Sequence, residues 1–187
     1  IAAFFCVLLI LFGSLLIYVS TDLISGLRTN AITKDSADLG IDTEKIVLDD
    51  KVKNIALFGI DARDDSFRGL SDIIMILTVD NKHRKLKLTS ILRDSLVRVE
   101  GDSLSGDYLD WDTKITHAYG FGGPELALRT INQNFGLDIE DYATINFTNM
   151  AKIVDAFGGV EIELSTAEME EVNKNLWDLS IEIQLKK

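Results

Sequence analysis

One cysteine, one proline and two histidines in 187 residues leave few of the usual catalytic and architectural devices. Cys6 has no partner in the chain, so an intramolecular disulfide is excluded and the fold has to rest on a hydrophobic core. There is no Gly-x-Ser-x-Gly elbow, no Walker loop and no cysteine after Cys6, which removes the common nucleophile and nucleotide-cradle signatures. Positive charge is scarce too. Nineteen Lys and Arg against 30 Asp and Glu give a net charge of −11, without the basic footprint that non-specific nucleic-acid binding requires. An anionic ligand must be held by a local cluster of cations.

What the chain does have begins at its first residue. Ile1 to Ser20 contains no charged side chain and is about the ~20 residues that cross a bilayer core as a helix, with Tyr18 at an interface. A secretory signal has an apolar region of only ~7–15 residues before a small-residue cleavage site, and Ser20-Thr21 and Ser25-Gly26 fit that site poorly. The expectation is a retained transmembrane anchor over residues 1–20, then a polar stalk over 21–50, then an exported domain over 51–187. The sequence begins without Met, so orientation is not read from flanking charge.

The domain reads as α/β, a mixed β-sheet flanked by helices. Asn54–Ile60 and Ile73–Val79 are short continuous apolar runs, the pattern of strands buried on both faces. The second run is joined by Asp80–Lys85 to Leu86–Leu92, which predicts an antiparallel hairpin with Lys82, Arg84, Lys85 and Lys87 on its wet face. Leu96–Val99 is expected to extend the sheet, and Gly101–Asp112 to form a polar loop. Thr113–Tyr119 predicts a short helix stopped by Gly120. Gly123-Pro124-Glu125 opens a longer one, with Leu126, Leu128, Ile131 and Phe135 inward and Gly136 closing it. Tyr142–Phe147 predicts a strand, Thr148 the cap of a helix carrying Met150, Ile153, Val154 and Phe157, Val160–Leu164 a strand and Thr166–Leu176 a helix.

Polar groups collect at the ends of the apolar strands, where α/β sheets place ligands. Asp61 and Arg63 follow the first strand, Asp72 opens the second, and Arg93 and Asp94 follow the third. With the second strand antiparallel to its neighbours, all five meet at one sheet edge. Two carboxylates beside arginines suit Mg²⁺ and a diphosphate, because Mg²⁺ takes one or two carboxylates plus phosphate oxygens and Arg presents a planar fork to phosphate. A structural ion-pair cluster is the alternative reading of the same residues. Asp102, Asp107, Asp110 and Asp112 read as a solvated loop rather than a calcium loop, and His117 as a packed histidine.

Several stretches together resemble the LytR-CpsA-Psr family: Asn54–Arg63, Leu70–Ile76, Lys87–Asp94, Thr113–Tyr119 with Gly123–Ala127, and Ile153–Val160, in order over about residues 53–164. The resemblance implies a membrane-anchored extracytoplasmic enzyme. Such an enzyme moves a teichoic acid or capsular polymer from an undecaprenyl-pyrophosphate carrier to peptidoglycan and leaves a phosphodiester link. It further implies that Asp61 and Asp72 hold Mg²⁺, that Arg63, Arg93 and Lys114 contact the pyrophosphate, and that Asp94 is a base or orients arginine. Leu70 stands where many members have Arg. The family pattern continues past the equivalent of Leu164 into an arginine-rich segment, so the expectation is a domain truncated at its C-terminus. Non-catalytic polyprenyl-lipid binding and a plain anchored scaffold are the competing readings.

Overall fold

The computed structural model describes residues 32, 35–44, 46, 49, 51–62 and 69–185, with side chains as far as residue 178. The expected anchor and Arg63 lie outside the described residues. Two units can be distinguished, one running to Met150 and one from Ala151, and each is described by itself.

In the first unit the two continuous apolar runs form β1 (Val52–Ile60) and β2 (Ser71–Asp80). With β3 (Lys85–Ile91) and β6 (Asp141–Asn146) they make a four-stranded sheet in the order β3-β2-β1-β6. β1 pairs antiparallel with β2, and β2 with β3, while β6 lies parallel to β1, so the sheet is mixed as expected. Because side chains alternate along a strand, Ala56, Phe58 and Ile60 point with Ile74 and Ile76 into the core. The opposite face carries Ile73, Leu86 and Leu88, which stay exposed. Lys82, Arg84, Lys85 and Lys87 are exposed around the β2–β3 turn.

Leu96–Val99 does not extend this sheet. It lies in β4 (Leu96–Asp102), which pairs antiparallel with β5 (Tyr108–Lys114) in a separate two-stranded sheet. The reading of Gly101–Asp112 as a loop is corrected with it. Only residues 103–107 turn, closed by Ser103 N to Asp107 O at 2.9 Å, because Leu109 alternates inward between exposed polar neighbours and pairs with Gly101.

Helix α1 (Thr116–Phe135) covers the core. It starts three residues later than expected, since Thr113 and Lys114 belong to β5. Gly123 breaks the helix at φ 68°, so two helices meet there, with Pro124 opening the second. Gly136, at φ 62°, closes the helix as expected, and its amide donates to Asn132 O. Leu126, Leu128 and Ile131 are buried, whereas Phe135 is not. Asn132 is buried and ties three backbone groups, its Nδ2 donating to Leu39 O and Ile139 O and its Oδ1 accepting from Ile139 N, each at 2.9 Å. Leu39 and Ile41 are therefore core residues, and Arg129 Nη1 donates to Ala37 O and Asp38 O. This part of the 21–50 stretch packs into the domain instead of forming a stalk.

Helix α2 (Phe147–Ala156) is capped by Asn146, whose Oδ1 accepts from Asn149 N at 2.8 Å, and not by Thr148. Its apolar side, with Met150 and Ile153, is exposed. In the second unit Val160–Leu164 is irregular and has no strand partner among the described residues, so the expected strand is not formed there. Helix α3 (Thr166–Leu185) starts at a capping box, with Ser165 N donating to Glu168 Oε2 at 2.9 Å. Among the described residues no helix is long and apolar enough to cross a membrane.

Candidate active site at the strand ends

The register of the main sheet decides what meets at its edge. Ile60 at the end of β1 lies opposite Ser71 at the start of β2, so Asp61 and Asp72 project from neighbouring strand ends. The Asp61 amide donates to Leu70 O at 3.3 Å and holds the connection closed. β3 runs back to the same edge, and Arg93 follows it by two residues.

Arg93 Nη1 donates to Asp72 Oδ1 at 2.7 Å, and Arg93 Nε lies 3.8 Å from Asp94 Oδ2. Asp94 Oδ1 in turn sits 2.6 Å from Lys114 Nζ. The backbone locks this corner to α1, because Ile115 N donates to Ser95 O at 2.9 Å and Thr116 N to Arg93 O at 3.1 Å. Asp72, Arg93, Asp94 and Lys114 thus form one continuous chain of alternating charge drawn from β2, the β3–β4 connection and β5. Of the residues proposed from sequence, these four are brought together. Asp61 lies at the adjoining strand end, and its side chain has no described hydrogen bond in this chain.

The electrostatics follow from the contacts. The hydrogen bond to Asp72, then the nearby charges of Asp72 and Asp94, raise Arg93 above its ordinary value, so it stays a cation. The hydrogen bond from Lys114 holds the Asp94 carboxyl below the usual carboxylate range, with Arg93 and His117 acting in the same direction. All four side chains are exposed enough to exchange these partners for a ligand.

Two buried hydroxyls at this corner, Ser71 Oγ and Thr116 Oγ1, meet no hydrogen-bond partner among the described residues. Unpaired buried hydroxyls are costly, and such defects are often found at functional sites. No residue pattern points to them. Lys114 was also hidden from residue patterns, because the alternation Leu109, Trp111 and Thr113 that makes β5 is overlaid by aspartates.

The donor set fits Mg²⁺. Among the described residues no three acidic, His or Cys groups form a protein cage, but two carboxylates at adjacent strand ends are what Mg²⁺ uses with substrate phosphate oxygens. Of the loop aspartates, Asp107, Asp110 and Asp112 have protein partners. Asp110 and Asp112 pair with Arg98 at 2.6 and 3.5 Å, and Asp107 accepts from Ser105 Oγ. His117 Nδ1 is 2.7 Å from Thr113 Oγ1 and half-buried.

The profile of the LytR_cpsA_psr family matches residues 19–184, nearly the whole chain. The chain belongs to that family. Among its relatives is the polyisoprenyl-teichoic acid–peptidoglycan teichoic acid transferase TagU of Halalkalibacterium halodurans, 36% identical over 114 residues, which are 61% of this chain and 35% of that protein. Biofilm regulatory protein A of Streptococcus mutans is 33% identical over 135 residues, 70% of this chain and 33% of the relative. The chain spans about a third of the length of these two curated relatives. Of solved structures, protein gbs0355 from Streptococcus agalactiae superposes with a TM-score of 0.55 at 28% identity, over 61% of this chain and 39% of the other. TagT of B. subtilis gives 0.51 at 25% identity, over 68% and 47%. The mixed sheet with its helices is thus the fold of this family.

Proposed function

We propose that this LytR_cpsA_psr protein serves in transfer of an anionic glycopolymer, of teichoic acid or capsular type, from a polyprenyl-pyrophosphate carrier to peptidoglycan. The observation that carries the reading is the Asp72–Arg93–Asp94–Lys114 chain at the strand ends. Here two cations and two carboxylates alternate on an exposed edge beside a further carboxylate, Asp61, an arrangement able to take up phosphate oxygens and their counter-ion. The 36% identity to a protein named as a teichoic acid transferase supports the same reading.

In this proposal Arg93 leaves Asp72 for a phosphate oxygen, its guanidinium supplying two parallel N–H donors, and Lys114 adds a point charge. Arg63 belongs to the same ligand set. Asp61 and Asp72 would hold Mg²⁺, which when bound neutralises charge on the leaving phosphate. An acceptor sugar hydroxyl forms a new O–P bond at the phosphorus bearing the glycopolymer, the P–O bond to the carrier phosphate breaks, polyprenyl phosphate departs, and the hydroxyl proton passes to Asp94 or directly to the departing phosphate. Asp94, whose carboxyl Lys114 holds below the usual carboxylate range, is either that proton acceptor or the group that orients Lys114 and Arg93. Residues 1–20 would anchor the protein in the cell membrane with the domain on the extracytoplasmic side.

Mass spectrometry of lipids co-purifying with the chain from bacterial membranes tests the proposal. A polyprenyl phosphate or pyrophosphate bound to wild type and lost in Arg93→Ala is expected, and its absence from both samples would refute the reading. Similarity to a biofilm regulatory protein favours one alternative, lipid binding without turnover. Under that alternative the lipid is bound, but Asp72→Ala leaves polymer attachment to peptidoglycan unchanged.

A further inference from the structure

Beside the charged cluster the surface turns aromatic. Trp111 on β5 meets Phe121 on α1 edge to face, with ring centroids 5.9 Å apart, and the His117 ring tilts against Phe121 at 5.6 Å. The hydrogen bond between His117 Nδ1 and Thr113 Oγ1 fixes the imidazole, and Leu104 N donates to Phe121 O at 2.8 Å. The rings are therefore held in place by the hairpin and the helix start. Yet Trp111 is 43% exposed and Phe121 37%, a large apolar area to leave in water on an acidic domain.

The order of groups along this strip is informative. From Asp72 through Arg93, Asp94 and Lys114 it is charged; Thr116 N donates to Arg93 O, so His117 comes next at the start of α1, and then Phe121 and Trp111. A pyrophosphate-linked glycan has the same sequence of chemistry, two phosphates and then a pyranose. The axial C–H groups of a pyranose carry partial positive charge and suit the negative face of an aromatic ring. Its hydroxyls need polar partners, which Thr113, His117 and Asp94 offer at the rim. An isoprenoid tail would need an enclosed apolar groove, whereas these rings lie open and are bordered by polar groups.

We propose that Trp111 and Phe121 form a sugar-stacking subsite that receives the pyranose next to the carrier pyrophosphate. The inference rests on the function proposed above and adds to it the residues that distinguish a glycan-bearing carrier from a bare one.

The test uses the full chain in detergent micelles and two probes, geranylgeranyl pyrophosphate and the same lipid pyrophosphate carrying one N-acetylglucosamine, with affinities measured by calorimetry. Wild type should bind the sugar-bearing probe about five- to tenfold more tightly. Trp111→Ala and Phe121→Leu should abolish that preference without changing affinity for the bare probe, and Trp111→Phe should keep most of it. Either single-ring variant suffices if the other fails to fold. Equal affinity of wild type for both probes, or equal weakening of both probes by Trp111→Ala, would overturn the sugar subsite while leaving pyrophosphate binding intact. Failure of wild type to bind either probe would overturn the proposed function and this inference together.

Discussion

The two ends of the main sheet carry the same kinds of side chain but arrange them differently. At the end where β1 starts, polar groups close into small finished sets. His83 N and Nδ1 both contact the Asp80 carboxylate, Lys53 pairs with Asp141 at 2.6 Å, and Asn54 bridges Asp138 and Thr78 at 2.7 Å each. At the end where β1 stops, Arg93 and Lys114 share Asp94 between them while Arg93 also holds Asp72, and the partners come from segments about 20 residues apart. The first arrangement satisfies turns and strand starts. The second is an open chain on an exposed edge, and its cations can gain a ligand without leaving a buried charge unpaired. Ion pairs alone therefore do not mark a site; an open chain of alternating charges on an exposed edge does.

The largest effect expected is on binding at the open end. Arg93→Ala should weaken polyprenyl-pyrophosphate binding at least about tenfold, since charge-assisted hydrogen bonds are lost, while thermal melting stays essentially unchanged because the side chain is exposed. Next in size is a stability effect at the closed end. Asn54→Ala removes hydrogen bonds to Asp138 and Thr78 in a half-buried setting and should cost about 1–2 kcal/mol in urea unfolding, with affinity untouched.

The same contrast explains what could be read in advance. β1 and β2 are legible as continuous apolar runs and β3 as the partner across a short polar connection, although β3 itself is exposed, and their antiparallel order places Asp72 near Arg93. β5 is not, since only one face of Tyr108–Lys114 is apolar and its outward aspartates mimic a loop. Thr148 has the side-chain type of a cap, but Asn146, one residue before the helix, has the oxygen in reach of Asn149 N. Val160–Leu164 alternates like a strand, but a strand exists only with a partner, which no local pattern supplies. Lys114 entered the site through family resemblance alone, and Arg63 lies outside the described residues.

A smaller effect is spectroscopic. Asp94 has a folded pKa below its ordinary value of 3.8, so its pairing with Lys114 contributes fully above that value and is lost only as pH falls through the lower folded one. Carboxyl NMR should give Asp94 a midpoint below 3.8 in wild type and one moved back toward 3.8 in Lys114→Ala. Asp80 should also titrate low, but because its first cause is the His83 amide, Lys114→Ala should leave it in place. Smallest of all, Lys53→Ala breaks an exposed pair and should change stability by no more than about 0.5 kcal/mol.

The central claim is that the open chain at the end of β1 is the pyrophosphate site, and one titration addresses it directly. Geranylgeranyl pyrophosphate would be titrated with Mg²⁺ into wild type, Arg93→Ala and Lys53→Ala of the full chain in micelles. The account predicts saturable binding that Arg93→Ala reduces at least about tenfold and Lys53→Ala leaves alone. Equal affinity in all three proteins, or a larger loss from Lys53→Ala than from Arg93→Ala, would contradict it.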